Sequence, residues 1–190
     1  MRAEGLEHLP PGPCLVAPNH VSMLDWAFLL YWFPRLIRFV VHRDYYEHPI
    51  TGFGVRVNGA VVVRTDRPDL GAMRAARAVL AAGEPLILFP EGGISRTGRP
   101  TPGQPGIISV ATAAQVPIVP VAIRGAFEAF PRSARLPQPG SVTIAFGRPL
   151  PPPPAADRTV RQRLANRLMA HIAALLDGAP QPSPPWGVEV

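Results

Sequence analysis

Short apolar runs alternate with longer helical stretches along this chain, and that rhythm predicts an α/β domain. Residues 14–17 read as a buried strand ended by Pro18. Residues 22–33 read as an aromatic-rich helix, with Ser22 as its cap and Pro34 as its stop. A second strand is expected at 36–41, a short helix and loop at 42–54, and a third strand at 60–63. Residues 69–82 are rich in alanine, a strong helix former, and Gly83 ends them. The four apolar residues 86–89 suit a central strand. A helix of small residues follows at 106–115. The next strand, 118–123, contains Pro120, which predicts an edge, an end or a bulge. Residues 142–146 alternate as a strand does, and 157–176 form a long amphipathic helix with Asp157 as cap and Gly178 as stop. The expectation is an α/β fold with a central, mostly parallel sheet flanked by helices. One domain spans 1–178, and the proline-rich residues 179–190 form an extended or flexible tail.

Composition narrows what such a domain can do. A chain of 190 residues with 47% hydrophobic content can bury a core of ordinary size. Its 26 prolines fall between apolar runs and near the C-terminus, so they punctuate a folded chain. All 19 basic residues are arginine, and the net charge is +6. A GC-rich coding bias is one reading of that choice. Arginine's planar fork also suits oxyanions such as phosphate, and the two explanations are compatible. A basic chain suits nucleic acid, anionic lipid or phosphorylated substrates. The sequence has no RNP-like aromatic motif, helix-turn-helix or zinc-finger spacing, so nucleic acid ranks last. The single cysteine, Cys14, lies in an apolar run and reads as a core residue; no intramolecular disulfide can form. Residues 1–13 mix charges and lack a signal-peptide pattern. No run reaches the roughly 18 apolar residues that span a bilayer, so membrane contact is expected at the surface.

Three segments carry candidate chemistry. The first is Asn19-His20-Val21-Ser22-Met23-Leu24-Asp25. An imidazole removes a hydroxyl proton near neutral pH, and a carboxylate fixes its tautomer and stabilises the imidazolium. Five residues apart on one helix, the two side chains would point about 140° away from each other. They meet only if His20 lies in the turn before the helix and Asp25 in its first turns, with Asn19 and Ser22 bracing the turn locally. Taken alone, the pair is more often a surface histidine near a helix-start aspartate. The second segment is Phe89-Pro90-Glu91-Gly92-Gly93, where a buried strand opens into a glycine turn. The carboxyl ends of such strands are where open α/β sheets bind ligands. The third is Gly59-Ala60-Val61-Val62-Val63-Arg64, in which an arginine leaves a buried strand.

Together these segments resemble the conserved blocks of the 1-acylglycerol-3-phosphate acyltransferase family. Asn-His-x-Ser-x-x-Asp at 19–25 is similar to the first block, 59–64 to the second, Phe89-Pro90-Glu91-Gly92 to the third, and 116–121 to the fourth. They fall in the family's order over roughly residues 3–150. The resemblance implies that His20 is the general base and Asp25 its partner. It gives Arg64, Glu91 and Gly92 to binding of the glycerol phosphate. It implies acyl-CoA or acyl-carrier protein as donor, a lysophospholipid as acceptor, and an α/β domain peripheral to the cytoplasmic face of a membrane. No metal or redox cofactor is implied. The third block departs from the family's usual continuation, with the arginine displaced or replaced in Gly93-Ile94-Ser95-Arg96, and Gln104 and Pro105 stand where relatives often carry lysine.

The aromatic run Trp26 to Phe33, followed by Arg35 and Arg38, reads either as a membrane-surface patch or as a core helix. Two further functions stay open at this point. One is hydrolysis of an acyl thioester or lysophospholipid, though no Gly-x-Ser-x-Gly elbow is present. The other is a non-catalytic lipid-binding module.

Overall fold

A computed structural model describes residues 1–47, 60–63, 70–130, 138–183 and 185–186. Its strands are β1 (Arg2–Glu4), β2 (Leu15–Pro18), β3 (Arg38–His42), β4 (Val61–Val63), β5 (Leu86–Ile87), β6 (Ile118–Arg124) and β7 (Thr143–Phe146). They form one sheet in the order β1-β7-β6-β2-β5-β3-β4. From β6 to β4 every neighbouring pair is parallel; β7 runs antiparallel to β6, and β1 parallel to β7. This is the mostly parallel sheet that the sequence pattern predicts.

Strand alternation sorts the core onto two faces. Leu15 and Ala17 of β2, Leu86 of β5 and Ile118 of β6 face α3 (Leu70–Ala81), α4 (Gly106–Ala114) and α6 (Arg158–Leu176). Cys14, Val16, Ile87, Val119 and Val121 face α1 (Asp25–Trp32) and α5 (Ala126–Ala129). The remaining helical pieces are a 3-10 turn at Leu6–His8 and α2 (Arg43–Glu47). Burial on both faces explains why β2, β5 and β6 read as unbroken apolar runs.

Helix ends follow the expected chemistry at α3 and α6. Gly83 and Gly178 adopt positive φ just past them, letting the chain fold back onto the last carbonyls. The Asp157 carboxylate caps α6 by accepting from the Val160 N–H at 2.8 Å.

Four features depart from the sequence-based expectation. β1 was not expected; it is three residues long and pairs along β7. β6 is interior rather than an edge, despite Pro120. The Pro120 carbonyl accepts from the Gly147 N–H at 2.9 Å, one step past the last β7 pair at Phe146. The proline's missing donor therefore falls at the last rung of the β6–β7 pairing, where a single ladder bond is forgone. α1 begins at Asp25 rather than Ser22, and no side chain caps it at Leu24. Ser22 instead donates its hydroxyl proton to the Phe130 carbonyl at 2.7 Å. Lastly, β5 closes at Ile87, two residues early.

Beyond α6 the described residues touch the body. The Trp186 indole N–H donates to the Pro151 carbonyl at 3.1 Å. His171, buried in α6, bonds the Pro185 carbonyl through Nε2 at 2.8 Å.

Candidate active site

β2 and β5 lie side by side and parallel, so the loops leaving their carboxyl ends emerge together. One loop carries His20 and the other carries Glu91. Asn19 extends the β2 edge with its side chain. Its amide oxygen accepts from the Ile123 N–H at 2.7 Å, and its amide nitrogen donates to the Ile123 carbonyl at 3.1 Å. These are ties to β6, 104 residues away, rather than the local brace expected of Asn19.

His20 and Asp25 meet in the geometry the sequence required, with the histidine in the turn and the aspartate opening α1. His20 Nδ1 lies 2.9 Å from Asp25 Oδ2. The same oxygen accepts from the Val21 N–H at 2.7 Å and the Ser22 N–H at 2.8 Å. Asp25 is fully buried, whereas the His20 side chain keeps 16% exposure. The buried carboxylate thus closes the turn before α1 and receives the imidazole edge together. A carboxylate held by two N–H donors accepts from Nδ1–H, which assigns the neutral ring the tautomer with its lone pair on Nε2. No described residue bonds to Nε2. The Phe89 ring stacks on the imidazole, with centroids 3.8 Å apart and planes 20° apart.

Glu91 is nearly buried, at 7% exposure. Its Oε1 accepts from the His20 backbone N–H at 2.8 Å. Its Oε2 accepts from both the N–H and the hydroxyl of Thr101, each at 2.8 Å. Gly92 follows in a turn at φ 73°, a conformation that favours glycine, and it is exposed. Arg96 and Arg99 are exposed on the same loop. The structure therefore gathers His20, Asp25, Glu91 and Gly92 at one sheet end. Arg64 lies outside the described residues. Sequence reasoning missed Thr101 and Ser95, which close this loop by hydrogen bonds. Their hydroxyls after a glycine turn were the available signal.

The sequence model of the acyltransferase family matches residues 1–124. The chain belongs to the acyltransferase family. It is 34% identical over 173 residues to a 1-acyl-sn-glycerol-3-phosphate acyltransferase of Chlamydomonas reinhardtii, covering 86% of this chain and 52% of that protein. It is 25% identical over 146 residues to the 1-acyl-sn-glycerol-3-phosphate acyltransferase of Pseudomonas aeruginosa, covering 75% and 56%. Its fold matches the crystal structure of the 1-acyl-sn-glycerophosphate (LPA) acyltransferase PlsC from Thermotoga maritima. That match has a TM-score of 0.72 and 25% identity, over 87% of this chain and 69% of the other. The acyltransferase chain spans about half the length of the curated relatives it matches.

Proposed function

We propose that this acyltransferase moves a fatty acyl group from the thioester of coenzyme A or an acyl-carrier protein to the hydroxyl of 1-acylglycerol-3-phosphate or a related lysophospholipid. The observation that carries the reading is the Asp25-bound Nδ1 of His20, which leaves Nε2 as a base at the carboxyl end of the sheet. His20 Nε2 takes the acceptor's hydroxyl proton as the oxygen bonds to the thioester carbonyl carbon. The tetrahedral intermediate collapses, the C–S bond breaks, and the proton passes from the imidazolium to the departing thiolate. Asp25 balances the imidazolium charge while it exists. A positioned base of this kind contributes about 10²–10⁴-fold. No metal or redox group takes part in this scheme.

Arg64, by its place in the second block, is assigned to the acceptor's phosphate, and Gly92 to close approach of the acceptor at the loop. The lipid acceptor favours work at the cytoplasmic face of a membrane. Among the described residues no helix is long and apolar enough to cross one. Tyr31 on α1 and Leu36 just past it are large apolar side chains at 73% and 57% exposure, and they suit contact with a lipid surface.

The test is a mass-spectrometric panel of lysophospholipids with oleoyl-CoA and, separately, oleoyl-carrier protein. Phosphatidate formed from the lysophosphatidate supports the reading. Thiol release without any acceptor would make the protein a hydrolase instead, and liposome binding without turnover would make it a binding module.

A further inference from the structure

We infer that Glu91 is a positioning residue for His20, held by Thr101, rather than a contact to the acceptor's phosphate. The inference rests on the proposed role of His20 as base. Among the described residues three donors reach the Glu91 carboxylate, all inside the fold: the His20 N–H on Oε1, and the Thr101 N–H and hydroxyl on Oε2. The group is 93% removed from solvent by its 7% exposure, so its charge is compensated by these fixed donors. A carboxylate beside a phosphate would meet like charge, which disfavours a direct contact.

The next peptide of the turn is held too. The His20 carbonyl accepts from the Ser95 N–H at 2.7 Å. The Ser95 hydroxyl in turn donates to the Arg99 carbonyl at 2.7 Å, closing the loop on itself. Residues 91–101 therefore grip the His20 backbone at both its N–H and its C=O. Phe89 and Asp25 hold the ring. Four contacts fix one histidine, two on its ring and two on its backbone, and the backbone pair comes from the glycine-rich loop. Displacing a reacting group by about 1 Å can cost about 10²-fold in rate, so loosening this grip is felt in turnover.

The test uses the full chain in steady-state acyl transfer, with His20→Ala measured alongside. Glu91→Ala is expected to lower kcat about 10–100-fold while the acceptor KM stays within about twofold. Glu91→Gln keeps an amide oxygen for the His20 N–H and should recover kcat to within about fivefold of the wild type. Thr101→Val removes one support of Oε2 and should lower kcat about 2–5-fold, again without a KM change. Amide exchange at the His20 N–H should accelerate in Glu91→Ala and not in Glu91→Gln. If Glu91→Ala does not fold, the Glu91→Gln and Thr101→Val pair decides. An acceptor KM raised tenfold or more in Glu91→Gln, with kcat unchanged, would overturn the inference while leaving His20→Ala inactive. An active His20→Ala would instead remove the base on which the inference rests.

Discussion

Asp25→Asn isolates the charge of the pair with little change of shape. Three donors converge on Asp25 Oδ2, while Oδ1 is buried with no hydrogen-bond partner. An asparagine can keep its oxygen at the Oδ2 position and place its NH₂ where Oδ1 was, breaking none of the three bonds. What disappears is the negative charge facing the imidazolium. Charge-assisted hydrogen bonds contribute about 1.5–3 kcal/mol and neutral ones about 1 kcal/mol. Adding the lost charge stabilisation in a fully buried setting, the transition state should rise by about 3–5 kcal/mol, or roughly 10²–10⁴-fold in kcat at about 1.4 kcal/mol per tenfold. The acceptor KM should hold, because a fully buried side chain cannot touch the substrate. Weaker bonds to Val21 and Ser22 should cost about 1–2 kcal/mol of stability, a Tm drop of roughly 2–8 °C in a chain of this size. Initial rates of thiol release, with a thermal melt on the same preparation, give both numbers. A folded Asp25→Asn enzyme that keeps more than a tenth of wild-type kcat would refute the pairing as the source of the base.

Three more outcomes follow from other parts of the molecule. Burial holds His171 below the ordinary histidine range, against a weaker upward pull from the Pro185 carbonyl. The unfolded chain therefore binds a proton that the folded one refuses, so Tm should fall as pH drops below about 6.5 and the fall should shrink in His171→Gln. Burial also pushes the Cys14 thiol up to about 11, so an aromatic disulfide reagent at pH 8 should label it only after denaturant unfolds the chain. Gly125 sits at φ 77°, and a Cβ there would run into the Ser141 carbonyl oxygen, so Gly125→Ala should lose about 2–4 kcal/mol in urea unfolding.

How much of this was legible in the sequence depends on the range of the interaction. Apolar runs announced β2, β3 and β6, the first and last of them buried on both faces, and helical periodicity announced α3, α4 and α6. The His20–Asp25 contact was legible as a condition, since five residues forbid a shared helical face and require a turn. Ser22 misled as a cap but not as a brace: its hydroxyl accepts from the Leu24 N–H inside the turn and donates to the Phe130 carbonyl, 108 residues away. Pro120 misled for the same reason: only the pairing register shows that its missing donor falls at the last rung beside β7. β1 has two charged residues in three and no alternation to read. The grip of Glu91 on His20 spans 71 residues and runs through a backbone N–H, which no residue type reports.

The most direct test of the account is acyl transfer by wild type against His20→Ala, matched for melting behaviour, with an acyl thioester and lysophosphatidate. The account predicts phosphatidate and stoichiometric free thiol from the wild type, and a loss of at least about 10²-fold from His20→Ala. A folded His20→Ala protein that makes phosphatidate at the wild-type rate would contradict it.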